Sequence, residues 1–143
     1  MTRMRTTTEA GFSLLELMLV IGAIAVLAGV MLVGTGVLTS SKLSRAEQEI
    51  GTLASAAQAY AAQQPNPTYA GVSLTELRNR QLIPPSAGGI NPWGNAYAIT
   101  GTTGGFTITT DTGDSTRCTS LAGRFATRAL SASCATGSLS VTF

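Results

Sequence analysis

The residue with the most unusual setting for chemistry is Glu16, a carboxylate inside an apolar run from Phe12 to Leu38. Glu16 is the one charged residue of that run and lies near its start. A carboxylate at such depth in an apolar layer costs on the order of a few kcal/mol unless a positive group pairs with it. The sequence therefore predicts that Glu16 functions by pairing with a cation on another chain.

The composition argues against an enzyme. Histidine, the commonest general base and a common metal ligand, is absent. The sequence also shows no motif that would place a nucleophile beside a general base. Only 11% of residues are charged and the net charge is +2, so the chain lacks the large excess of positive charge that is typical of nucleic-acid-binding proteins. We therefore predict no catalytic residue, no metal site and no cofactor.

The two cysteines, Cys118 and Cys134, are too few for a zinc site without histidine. They lie in the polar part of the chain, beyond the apolar run, where an oxidising compartment would pair them. Closing a loop of this size would stabilise the fold by about 3 kcal/mol in the chain-entropy model.

Two acidic residues, Asp111 and Asp114, lie close together in the sequence. Two carboxylates with no third acidic ligand nearby make a weak site for a hard cation. Aspartate and glycine also favour turns for backbone reasons alone, so a solvated turn is the preferred interpretation.

Three arginines near the C-terminus, Arg117, Arg124 and Arg128, are candidates for contacts with DNA or anionic surfaces. No aromatic residue beyond Phe125 is interleaved with them, and stacking on aromatic side chains is the usual means of holding single strands. Solvated charges are the preferred interpretation, with Arg124 and Arg128 on a helix.

The apolar run is long enough to cross a membrane as a helix, about 40 Å against a hydrocarbon core of about 30 Å. Arg3 and Arg5 precede it and predict a cytoplasmic N-terminus. An ordinary single-pass anchor with an unpaired glutamate is the alternative to a functional Glu16.

From Thr39 to Ala62 the pattern becomes amphipathic, and one helix is expected from Phe12 to about Ala62. A coiled coil is the alternative for this half, although alanine at two seam positions makes a poor one. The apolar positions on one face are Leu43, Ala46, Ile50, Leu53, Ala57 and Tyr60.

The remaining elements are shorter. Pro65 and Pro67 break the helix, and the capping box from Ser73 to Glu76 begins a second helix that ends near Leu82. Alternating runs predict an antiparallel sheet laid on the helical spine. These runs are Tyr97 to Thr100 and Phe106 to Thr110, joined as a hairpin, and Leu139 to Phe143.

The stretch Gly11-Phe12-Ser13-Leu14-Leu15-Glu16 resembles the processing site of type IV pilins and their relatives. In that family a peptidase cleaves after the glycine and N-methylates the new terminus. The resemblance implies cleavage after Gly11, N-methylation of Phe12, and pairing of Glu16 with the Phe12 amine of a neighbouring subunit. It thereby supplies the cation that the carboxylate requires.

A second stretch, Asn91 to Asn95 followed by Tyr97, is similar to two relatives. Major pseudopilins of type II secretion carry such a sequence at the start of their sheet and bind calcium after it, so the resemblance suggests calcium at Asp111 and Asp114. Subclass b type IV pilins carry a Trp-Gly turn, a strand and then a cysteine that opens a helix, which is the order found here. The resemblance also implies one C-terminal disulfide, and Trp93 is expected to cover the core of the head rather than to contact a ligand.

The fold implied by the resemblance is an α+β pilin fold. A long N-terminal helix, apolar in its first half and amphipathic in its second, packs on a small antiparallel sheet. The expected segments are a leader at 1–11 that is removed, a transmembrane or filament-core helix at 12–38, an amphipathic helix at 39–62, and a globular head at 63–143 with a disulfide loop at 118–134.

The function implied is that of a structural subunit of a bacterial type IV pilus filament, a helical homo-oligomer. Expected partners are prepilin peptidase and, by family analogy, an inner-membrane platform protein and an assembly ATPase. The expected localisation is the inner membrane, single-pass with the N-terminus in the cytoplasm, and after assembly an extracellular surface filament. The alternatives are a type II secretion pseudopilin and a minor pilin that binds DNA through Arg117, Arg124 and Arg128.

Overall fold

The computed structural model describes residues 14–143, except for the side chains of residues 29–37. The elements of that part of the chain are α1 (Leu14–Ala62), α2 (Leu74–Asn79), β1 (Tyr97–Gly101), β2 (Phe106–Asp111), α3 (Ser115–Phe125), β3 (Ser131–Ala135) and β4 (Ser138–Thr142). The chain divides into two compact units, Met1–Leu38 and Thr39–Phe143.

Within the second unit, the last part of α1 buries the apolar face that its periodicity predicts. Ala46, Ile50 and Ala57 are completely buried, and the other members of that face are nearly so. Residues spaced three and four apart share one side of a helix, so a single stripe of α1 enters the core. This prediction is confirmed.

The second helix begins as its capping box predicts. Ser73 is the N-cap, and its side chain accepts a hydrogen bond from the backbone N–H of Glu76. The helix ends at Asn79, earlier than the predicted Leu82. The reason is that Gln81 adopts a left-handed backbone conformation, with φ of 58°, which terminates a helix.

The four strands form one antiparallel sheet in the order β1, β2, β4, β3. The predicted hairpin is confirmed, since β1 pairs with β2. Ile99 lies opposite Ile108, which lies opposite Val141, and all three are buried. Because alternate residues of a strand share a face, this row fixes the apolar face of the sheet against α1. The fold is α+β, with a helix packed on a small four-stranded antiparallel sheet.

Strand β3 was not expected from the sequence. Its alternation of serine with alanine and cysteine is too weak in hydrophobic contrast to predict a strand. The turn to β4 consists of Thr136 and Gly137, with φ values of 48° and 88°. Positive φ at both central residues is the type I′ geometry that suits a two-residue hairpin.

The third helix is also shorter than expected. It is capped by Asp114, whose carboxylate accepts a hydrogen bond from the backbone N–H of Arg117. It ends at Phe125, so the prediction that Arg128 lies on this helix is wrong. The chain must reverse after Phe125 to enter β3 at Ser131, and the backbone N–H of Arg128 bonds the carbonyl of Phe125 in that reversal.

The expected membrane helix at 12–38 requires a correction. Crossing about 30 Å of hydrocarbon takes roughly 20 consecutive apolar residues in a helix. Among the residues that the structure describes, no helix meets the length and apolarity needed to cross a membrane. The predicted localisation as a single-pass protein of the inner membrane is therefore wrong.

Candidate functional site

The first turns of α1 expose apolar side chains on every side. Its large apolar residues between Leu14 and Leu27 have exposed fractions from 49% to 74%. Five of them are consecutive, at positions 17–21, which is more than one full helical turn of 3.6 residues. A helix that is apolar all round is normally covered by other protein or by lipid. We call residues 14–28 the apolar segment.

Glu16 is the charged residue of the apolar segment, and it is exposed. It has no hydrogen-bond or ion-pair partner among the described residues. Its neighbours Leu15 and Leu17 are exposed apolar side chains, so any surface that covers them also approaches the carboxylate. Gly11 and Phe12 lie outside the described residues, and their predicted cleavage, methylation and pairing with Glu16 stay predictions.

The disulfide between Cys118 and Cys134 is present. Cys118 lies in α3 and is completely buried, and Cys134 lies in β3, with Cα atoms 5.9 Å apart. The bridge therefore ties α3 to the edge strand of the sheet, and the loop between the two cysteines includes the end of α3 and most of β3.

Asn91 organises the turn at residues 91–95. Its side-chain N–H groups donate to the Thr110 hydroxyl at 2.9 Å and to the Asp111 carbonyl at 2.6 Å. Its carbonyl oxygen accepts hydrogen bonds from the backbone N–H groups of Trp93 and Asn95. Trp93 is partly buried against the core, as predicted. The turn thus serves to dock residues 91–95 on β2, and its buried amide has no free capacity for a ligand.

The carboxylates of Asp111 and Asp114 are both used by the backbone. The Asp111 carboxylate accepts a hydrogen bond from the Gly113 N–H at 2.7 Å, and that of Asp114 caps α3. In the described part of the chain, no cluster of three or more candidate metal ligands occurs. The observed contacts are those of a turn, the interpretation that the sequence favours.

Glu47 joins two of the three C-terminal arginines. The Nη1 of Arg124 donates to Glu47 Oε2 at 2.9 Å, and the Nη2 of Arg128 donates to Glu47 Oε1. These hydrogen bonds, from Arg124 first and then Arg128, hold the pKa of the Glu47 carboxyl below its ordinary value. We call these three residues the Glu47 clasp. Arg117, which is exposed, is the member of the predicted basic group that lies outside this clasp.

A second carboxylate of α1, Glu49, is also missed by sequence reasoning. It accepts a hydrogen bond from the Tyr97 hydroxyl at 2.8 Å and pairs with Arg45 at 2.9 Å. Burial, and the hydrogen bond to Glu49, raise the pKa of the Tyr97 phenol. Glu47 and Glu49 are next in sequence to buried residues of α1. This placement at the edge of the apolar face is the one sequence signal that could have predicted their contacts with the head.

Comparison with known proteins gives no relative for this chain. No family model, no curated protein and no solved structure matches it.

Proposed function

We propose that the chain is a structural subunit of a type IV pilus filament, with a pilin fold whose N-terminal helix assembles against those of other copies. The observation that carries the proposal is the apolar segment, which is exposed on every side and interrupted by one carboxylate. Burying such side chains contributes roughly 1.5–3 kcal/mol each. Several identical copies packed together would cover all sides of the helix at once.

Glu16 then selects the arrangement of copies. Cleavage after Gly11 would place a new amine at Phe12, and the Glu16 carboxylate of a neighbouring copy would pair with it. An unpaired charge in an apolar interface is strongly unfavourable, whereas the pair satisfies both groups. The pair therefore favours one axial offset between helices over the others.

The head also supports a structural role over the alternatives. Asp111 and Asp114 serve backbone amides, which does not favour the calcium site of a pseudopilin. Two of the three arginines of the DNA-binding alternative are held by Glu47.

The test replaces Glu16 and counts filaments. Glu16→Ala would leave an unpaired Phe12 amine in the interface, which costs about 3–5 kcal/mol. Addition of each copy would then be weaker by roughly 100-fold or more. We expect filaments pelleted from cells to disappear with Glu16→Ala and Glu16→Gln, at unchanged amounts of the chain.

The matched control is Glu76→Gln, which removes the charge of a partly exposed carboxylate paired within the head to Arg80. We expect its filaments to match those of the wild type. Normal filaments in the Glu16 variants would contradict the pairing, and absence of filaments from the wild type would contradict the function itself.

A further inference from the structure

The arginine that differs from the others is Arg78, which is partly buried and has no carboxylate partner among the described residues. Arg117 also lacks such a partner, but it is exposed to water. The other arginines of the described part pair with carboxylates: Arg45 with Glu49, Arg80 with Glu76, and both Arg124 and Arg128 with Glu47.

The guanidinium of Arg78 is only partly satisfied. Its Nη2 donates to the Ala87 carbonyl at 3.1 Å. Its Nε is completely buried and has no hydrogen-bond partner. A buried N–H group without a partner destabilises the fold, and more so when the group is charged. The cation is thus held in place without the counter-charge that a protein normally supplies.

A cavity of about 480 Å³ that is open to solvent lies beside this side chain, lined by Arg78, Gln81, Ile83, Pro84 and Pro85. One of the lining residues, Gln81, has a left-handed backbone conformation, with φ of 58°. Glycine or asparagine adopts this conformation at lower cost, so glutamine here brings strain together with a long amide side chain. The proline and isoleucine side chains make the rest of the wall apolar.

We infer that this cavity binds a carboxylate, with the Arg78 guanidinium as the cation and the Gln81 amide as a second donor. A planar guanidinium matches a carboxylate in geometry. One cation neutralises one carboxylate, whereas a phosphate dianion would keep one negative charge that no residue lining the cavity neutralises. The carboxylate comes from a free small molecule or from a second copy of the chain, whose Asp111 and Asp114 are exposed. The inference does not depend on filament assembly.

The experiment follows the Arg78 Nε–H signal by nuclear magnetic resonance. The full chain, labelled with ¹⁵N, is kept in a non-ionic detergent that covers the apolar segment without adding charge. A buried N–H exchanges slowly with water, so its signal is observable, and Arg78→Lys identifies it by its loss. Sodium acetate is titrated against sodium chloride at equal ionic strength.

We expect a saturable shift of the Arg78 signal with acetate, no such shift with chloride, and no shift of the Arg80 signal. Gln81→Gly removes the amide while suiting the left-handed backbone, and it should weaken acetate binding about 3- to 10-fold, the effect of one hydrogen bond. Equal binding in this variant would overturn the role of Gln81.

A second arm raises the concentration of the chain without acetate. A shift of the Arg78 signal that grows with concentration, and that Asp111→Asn with Asp114→Asn abolishes, identifies a second copy as the source. A shift with acetate alone identifies a free carboxylate. A signal that responds to neither, or to chloride as much as to acetate, would overturn the inference.

Discussion

The Glu47 clasp gives the most direct test of how the head is held together. Glu47→Gln keeps the shape of the side chain and removes its charge, so both ion pairs to Arg124 and Arg128 are lost at once. The side chain of Glu47 is 23% exposed, and those of Arg124 and Arg128 are 36% and 57% exposed. Because water reaches these pairs, each is discounted to about 0.5–1 kcal/mol, which predicts a total loss of about 1–2 kcal/mol near neutral pH.

The sign of the pH dependence follows from the lowered pKa of Glu47. A carboxyl whose pKa is lowered in the folded state stabilises that state fully at a pH above its ordinary pKa, here 4.5. This stabilisation is lost as the pH falls through the pKa that the carboxyl has in the folded state. The difference between the wild type and Glu47→Gln should therefore be full at pH 7 and shrink below about pH 4.5.

The assay is urea unfolding followed by the fluorescence of Trp93, which is the only tryptophan of the chain and is partly buried in the head. Urea carries no charge and so does not screen the ion pairs. Arg117→Gln is the matched control, since Arg117 is exposed and the described residues give it no ion pair, and it should change stability by less than about 0.5 kcal/mol. A Glu47→Gln variant as stable as the wild type at pH 7, or a difference that persists unchanged to pH 3, would refute the reasoning.

Three further variants test the packing at β1, the glycine of α3 and the disulfide. A Cβ at Gly101 would overlap the Tyr69 carbonyl oxygen, so Gly101→Ala should destabilise the head by about 1–3 kcal/mol in urea unfolding. Gly123→Ala in α3 meets open space and should instead stabilise by about 0.5–1 kcal/mol, and a loss there equal to that at Gly101 would contradict the steric argument. Replacing both Cys118 and Cys134 by alanine should cost about 3 kcal/mol for a loop of this length. Unchanged thermal melting of that double variant would show that the bridge does not constrain the unfolded chain.

Local patterns were sufficient to predict the elements whose signals lie within a few residues. The stripe from Leu43 to Tyr60 repeats with the period of a helix, Ser73 and Glu76 have capping-box spacing, and the strands of the first hairpin alternate around a glycine-rich turn. Each of these depends on neighbours in sequence, so one sequence contains the required information.

The parts that were missed depend on distant residues. The Glu47 clasp joins positions 77 and 81 residues apart, and no local pattern specifies it. Strand β3 is an edge strand of small residues whose partner β4 fixes it. Arg78 is indistinguishable from the other arginines in sequence, and only the fold shows that it alone is partly buried without a carboxylate among the described residues.

The measurement that tests the central proposal most directly is the N-terminal residue and intact mass of the chain in pelleted filaments. The proposal predicts a chain that begins at Phe12 and carries about one methyl group, because the new amine is the partner of Glu16. A chain that retains residues 1–11, or that is found in no filament, would contradict it.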